Sequence, residues 1–200
     1  MEKVHFHGNN KTADEIRFAL ESNVGKFVVD NLYELELLNE NCGEMGKKAN
    51  ISFRIKPGVD AHTHNFIRTG QIDSKFGFAL ETGEAFEAVK KAQMYDNVNL
   101  TELHCHIGSQ IFDIDPFVTA AEIMLDFMGK IHDELGIVIS ELNLGGGFGI
   151  MYTKDDEPVP YENYMEKVSE AVKAKAKEHG LPVPYLSLIH ISEPTRPEPI

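Results

Sequence analysis

Two short loops carry most of the chemistry this chain can offer. Leu103 to Gln110 reads LHCHIGSQ, and Leu142 to Ile150 reads LNLGGGFGI. Each is an apolar strand running into a polar, glycine-bearing exit. The second sets Gly145, Gly146 and Gly147 side by side. With no Cβ to hold a ligand off, such a backbone can crowd its N–H groups onto one anion, such as a phosphate. The first loop supplies His106 and the Ser109 hydroxyl from the same rim. An α/β barrel keeps its chemistry at the C-terminal ends of its strands. The pair therefore points to a phosphorylated cofactor lying across one face of a parallel barrel. The glycine run fits a dinucleotide fingerprint badly, because its glycines are contiguous and Tyr152, Thr153 and Lys154 follow where a helix should begin. Taken alone, it would also serve as a tight strand-to-loop turn.

Other polar residues are less specific. His5/His7, His62/His64 and His104/His106 are i, i+2 pairs that a strand would point to one face, as zinc ligands require. No third ligand with sensible spacing stands out, so no metal is expected and these read as ordinary loop and strand histidines. Arg54 is a lone charge between Phe53 and Ile55. Buried, it needs an anionic partner, either a cofactor or a carboxylate at the barrel mouth. Lys48 and Lys75 are the lysines that could invite a Schiff-base role. Neither stands at the buried C-terminal end of a strand, so both read as solvated or loop-stabilising.

The elements that must position these loops alternate along the chain. Strands are expected at Val4 to His7, Lys26 to Asp30, Ile51 to Ile55, Asn97 to His106 and Ile137 to Leu144, with a last one from about Val183. Helices are expected after Thr12, with Glu15 completing a capping box, and after Asn31 to about Gly43. Further helices are expected over Thr82 to Gln93, from Asp115-Pro116, with Asp115 as cap and Pro116 at the first helical position, to about Leu135, and over Tyr161 to Glu178. Val59 to Phe76 reads as a long polar loop. Short apolar strands in strict alternation with helices argue for a parallel sheet covered on both faces. A closed (β/α)8 barrel needs eight units and about 250 residues. This chain offers about six and opens directly on a strand, so the fold class expected is α/β, a partial (β/α)8 TIM-type barrel.

Composition bounds the rest. Two hundred residues at 42% hydrophobic can bury one sizeable core. A net charge of −13 argues against nucleic acid as partner. Cys42 and Cys105 lie far apart in no metal spacing, which suits a reducing cytoplasmic location without disulfides. No apolar run is long enough to span a membrane. The N-terminus has no signal-peptide pattern. After Leu186 the stretch SLIHISEPTRPEPI changes character and resembles translated sequencing-adapter DNA. The domain is therefore placed at residues 1–186, with 187–200 set aside as a non-native tail.

The blocks HGNNKTADEI, FVVDNLYELELL, FRIKPGVDAHTHNFIRTGQIDSKFGF, LHCHIGSQIFDIDPF and LNLGGGFGIMY, in this order, resemble the pyridoxal-phosphate-dependent ornithine, arginine and diaminopimelate decarboxylase family. That family has an alanine-racemase-like barrel. HIGSQ with TGQIDSKFG favours the diaminopimelate branch. The resemblance implies pyridoxal 5'-phosphate as cofactor, with His106 stacked on its ring, Ser109, Gly145, Gly146 and Gly147 on its phosphate, and Arg54 near the ring substituents. It implies removal of CO2 from meso-diaminopimelate to give L-lysine, a small amino-acid substrate, and a homodimer when full length. The family's Schiff-base lysine lies in a YAxKAN-type motif upstream of anything here, so no catalytic residue is carried over, and the KAN at Lys48 is read as coincidence. The first strands and the C-terminal β-domain are also missing. Glu193-Pro194-Thr195-Arg196 imitates the family's EPGR but stands late, inside the suspect tail. The chain is thus expected to be an inactive fragment. The alternatives are a decarboxylase of arginine, ornithine or carboxynorspermidine, a non-catalytic pyridoxal-phosphate-binding barrel, and a phosphate-binding barrel with unrelated chemistry.

Overall fold

Local signals start and stop the helices. Thr12 caps α1 (Ala13–Glu21) through a reciprocal pair: its Oγ1 accepts from the Glu15 N–H at 3.3 Å, and its own N–H donates to Glu15 Oε2 at 2.8 Å. Asn31 caps α2 (Leu32–Glu44) by accepting from the Glu34 N–H at 2.9 Å. This helix runs through Gly43 and ends at Met45, because its packed face outweighs one glycine. The computed structural model describes residues 3–59 and 75–187. His62, His64, most of the long polar loop from Val59 to Phe76, most of the suspect tail and the Glu193-Pro194-Thr195-Arg196 block lie outside the described residues.

Among the described residues seven strands form one parallel sheet: β1 (His5–Phe6), β2 (Lys26–Val29), β3 (Ala49–Lys56), β4 (Phe78–Ala79), β5 (Val98–Cys105), β6 (Glu141–Asn143) and β7 (Tyr185–Ser187). The order is β1-β2-β3-β5-β6-β7, with β4 paired to the C-terminal end of β3. Between strands run α3 (Glu84–Ala92), α4 (Asp115–Leu135) and α5 (Tyr161–Glu178). This is the expected partial barrel, with three differences. Strand β4 was not anticipated, since Phe78-Ala79 is too short to show a period. The strand expected over Ile137 to Leu144 shrinks to three residues, because Gly136 at φ +70° ends α4 and the chain must turn back before it can pair. Asp115 is itself the first residue of α4 and Ile114 takes the cap position, so the expected aspartate cap is not made.

The core lies between the sheet and the helices that cover it. Phe27, Ile51, Phe53, Ile55, Leu103 and Leu142 are closed to solvent on the strands, as are Ile16, Leu35, Leu38, Leu125 and Val168 on the helices. Both thiols are buried and unpaired, and burial pushes Cys42 up to about 11 and Cys105 up to about 12. Among the described residues no helix is long and apolar enough to cross a membrane.

Candidate functional site

The C-terminal ends of the strands enclose a cavity of about 420 Å³, lined by His7, Arg54, His104, His106, Ser109, Gly145, Gly146 and Gly147. That size falls in the roughly 300–1,000 Å³ range of small-molecule and cofactor sites. All six cofactor-binding candidates of the sequence are on that list. They come from three strands distant in sequence, β3, β5 and β6, which the sheet order makes neighbours. His7 and His104 were missed. The signal was available: His104 and His106 are two apart and share a face, so drawing one into the cavity draws the other.

The two loops are joined to each other before any ligand is considered. The Ile111 N–H donates to the Gly147 carbonyl at 2.9 Å, and the Gly149 N–H donates to the Ile111 carbonyl at 2.8 Å. Gln110 completes the junction, its amide donating to the Ile150 carbonyl and accepting from the Ile150 N–H, both at 3.0 Å. Behind this, the Phe117 and Phe148 rings stack at 4.5 Å, and the Tyr164 hydroxyl donates to the Phe112 carbonyl at 2.9 Å. The two loops are thus cross-linked to each other and to the helices behind them, as a preorganised site needs.

Two glycines are required by this closeness. Gly145 sits at φ +73°, and a Cβ there would stand 2.7 Å from the Cys105 carbonyl oxygen and 2.9 Å from His106 Nδ1. Gly147 sits at φ +102°, and a Cβ there would overlap the Gly108 carbonyl. The Gly145 N–H donates to Asn143 Oδ1 at 2.9 Å, so it is already engaged. Gly145 thus shapes the loop, and the N–H groups of Gly146 and Gly147 are the ones left to meet an anion.

The electrostatics agree with an anionic guest. None of the lining residues is acidic, while one arginine and three histidines face the space. Arg54 lies over the Phe76 ring at 4.5 Å. Burial pulls its guanidinium down from the ordinary arginine value, and the charge of Asp30 opposes this. Asp30, 4% exposed at the end of β2, is pushed up by burial against the opposing charges of Arg54 and Lys11. Asp30 thus acts on Arg54 through its charge, and the cavity is where Arg54 can meet a further anion. His104 is held well below the usual imidazole range, first by burial and then by the charges of His7, Arg54 and His106. A cradle of backbone donors beside an arginine and three imidazoles suits a phosphorylated aromatic ring. Lys48 is exposed at the opposite, N-terminal end of β3, where it lines a separate depression with Lys47. Lys75 is exposed and rests over Phe76 at 5.1 Å. Neither has the placement of a cofactor-bearing lysine.

Comparison with known proteins agrees with this geometry. A family model described as "Pyridoxal-dependent decarboxylase, pyridoxal binding domain" matches residues 1–196. Diaminopimelate decarboxylase of Bacillus subtilis is 49% identical over 183 residues, which cover 92% of this chain and 42% of that protein. The Staphylococcus aureus enzyme of the same name is 44% identical over 186 residues. Among solved structures, diaminopimelate decarboxylase from M. jannaschii in complex with L-lysine superposes with a TM-score of 0.84 at 40% identity, covering 94% of this chain and 42% of that one. The Helicobacter pylori enzyme with L-lysine gives 0.83 at 29% identity, covering 94% of this chain and 45% of that one. The chain thus spans a little over two fifths of the length of these relatives.

Proposed function

The chain belongs to the pyridoxal-dependent decarboxylases, in their pyridoxal binding domain, and on that premise we propose that it is the cofactor-holding barrel of a diaminopimelate decarboxylase. The reaction is loss of CO2 from meso-diaminopimelate to give L-lysine. The observation that carries the reading is the single cavity in which the lining of Arg54, His106, Ser109 and the glycine run comes together. Support for the substrate comes from relatives of that name at 44–49% identity. The barrel domain is assigned to residues 1–186, with 187–200 outside it apart from Ser187, which ends β7 opposite Asn143. A cytoplasmic location and a homodimer of the full-length protein belong to the same reading.

Pyridoxal 5'-phosphate supplies an electron sink when bound. The chain's own residues do the holding. The Gly146 and Gly147 N–H groups and the Ser109 hydroxyl hold the phosphate, and Asn143 keeps the loop in the shape that presents them. His106, which lines the cavity, would lie against the ring and restrict water there. Arg54 sets a cation beside the ring's polar edge, balanced by Asp30. The test is CO2 release by the full-length protein supplied with the cofactor, offered meso-diaminopimelate, arginine, ornithine and carboxynorspermidine in turn. Release from meso-diaminopimelate at least a hundredfold faster than from the others is expected. Preference for another of the four overturns the substrate, and cofactor binding without release from any of them favours a non-catalytic barrel.

A further inference from the structure

Gln110 joins the two rim loops from a strained backbone. It stands at φ +56°, in the left-handed region, where any side chain beyond glycine is disfavoured. Among the described residues the other non-glycine there is Asn23, an amino acid that tolerates the region. Glycine would sit at position 110 without strain, so the glutamine side chain must supply what offsets it. It acts on one peptide unit: the amide donates to the Ile150 carbonyl and accepts from the Ile150 N–H, both at 3.0 Å. A carboxamide carries the same donor and acceptor as a peptide group. The clamp therefore adds a rung to the ladder that Ile111 makes with Gly147 and Gly149. What this ladder holds together faces the cavity. Ser109, next to Gln110 in sequence, lines it with Gly146 and Gly147. A Cβ on Gly147 would stand 1.9 Å from the Gly108 carbonyl oxygen and 3.3 Å from Ser109 Cα, so the loops touch along this stretch. A slip between them would part the hydroxyl from the backbone donors.

We propose that Gln110 is the positioning residue of the anion cradle: its clamp on Ile150 holds the left-handed turn that sets the Ser109 hydroxyl against the Gly146 and Gly147 N–H groups, so that one phosphate meets all three. The proposal rests on the reading of the cavity as a pyridoxal phosphate site. Gln110 does not itself line the cavity, so it acts through Ser109 and the glycine loop. Glycine at this position would relax the backbone and leave the loops free to slide. Glutamine accepts the strain and fixes their register. A residue kept for stability alone loses stability when it is removed. One kept for the cradle loses phosphate affinity first, and the relief of strain offsets the missing bonds.

The experiment uses the full-length protein with Gln110→Gly, Gln110→Glu, Ser109→Ala and the double variant Ser109→Ala/Gln110→Gly. Each is titrated by absorbance with pyridoxal 5'-phosphate and with pyridoxal lacking the phosphate, and each is unfolded in urea without either. Gln110→Gly removes the clamp and the strain together. Gln110→Glu keeps the length and the acceptor for the Ile150 N–H, but turns an oxygen toward the Ile150 carbonyl. Misplacing one hydrogen bond to an anion weakens binding about tenfold. Both Gln110 variants are expected to lose about this much with the phosphorylated form and less than about twofold with pyridoxal. Gln110→Gly is expected to unfold at no lower urea concentration than the unsubstituted protein. In the Ser109→Ala background the same substitution should cost no more than about threefold, because the two residues act through one contact. Equal weakening toward both forms, unchanged affinity for the phosphorylated one, or losses that multiply in full in the double variant overturn the proposal. An unsubstituted protein that binds the two forms alike overturns instead the reading of the cavity beneath it. Should Gln110→Gly not fold, Gln110→Glu, alone and with Ser109→Ala, carries the same comparison to the same outcomes.

Discussion

At the residue scale, the narrowest constraint is at Gly147. Its positive φ strains any L side chain, and a Cβ there meets the backbone of the neighbouring loop with nowhere to move. Gly147→Ala should weaken pyridoxal 5'-phosphate binding to the full-length protein at least tenfold, read by absorbance titration, because two of the N–H donors shift with that loop. The thiols give a pH prediction. Burial raises Cys42 to about 11 and Cys105 to about 12 against ordinary values near 9. In the unfolded chain both ionise first as pH rises. Their contribution to stability is therefore fully present below about pH 9 and is lost between pH 9 and about 12, by up to about 1.4 kcal/mol per pH unit for each thiol. Neither thiol should react with a disulfide reagent at pH 8 until the protein unfolds. Rapid labelling of native protein at that pH would contradict the buried placement.

At the element scale, the sheet carries a buried ion cluster two residues below the cavity floor. Lys26 at the start of β2 meets Glu102 at 2.9 Å and Glu141 at 2.8 Å, and Glu102 is fully closed to solvent. Removing the cation alone leaves an uncompensated carboxylate, so Lys26→Met should destabilise the full-length protein by about 3–5 kcal/mol in urea unfolding. Adding Glu102→Leu to the same chain should recover much of that loss. No recovery would mean that the cluster acts through packing rather than charge. The junction between the two rim loops belongs to this scale too. Gln110→Ala removes both bonds to Ile150 and should loosen cofactor binding severalfold, with little change in the helices by circular dichroism.

What was legible in the sequence follows from how local each feature is. The capping box at Thr12 and Glu15, the buried run of β2 and the bounds of α5 depend on neighbours in sequence, and all were readable. The six residues around the cavity were readable because strand exits and glycine runs are themselves local signals. Asn143 was not picked out, since its place beside His104 comes from the β5–β6 register, which no single segment encodes, and His7 reaches the cavity only through the pairing of β1 with β2. Strand β4 escaped for the same reason: it exists only by pairing with β3.

At the scale of the whole molecule, β1 and β7 close the strand order without a second partner among the described residues. A parallel sheet with two bare edges and apolar faces is a poor independent unit. The isolated 200-residue chain should therefore lack a cooperative thermal transition, and a sharp one by calorimetry would contradict this. The central claim is that one cavity, built by the β5 and β6 exit loops, holds a phosphorylated pyridoxal ring. The most direct test is to titrate the full-length protein with pyridoxal 5'-phosphate and, separately, with pyridoxal lacking the phosphate, following the absorbance of each. The account predicts tight one-to-one binding of the phosphorylated form, at least a hundredfold weaker binding of the other, and loss of most of that difference in Gly147→Ala. Equal affinity for the two forms, or a Gly147→Ala variant that still discriminates fully, would place the phosphate elsewhere and contradict it.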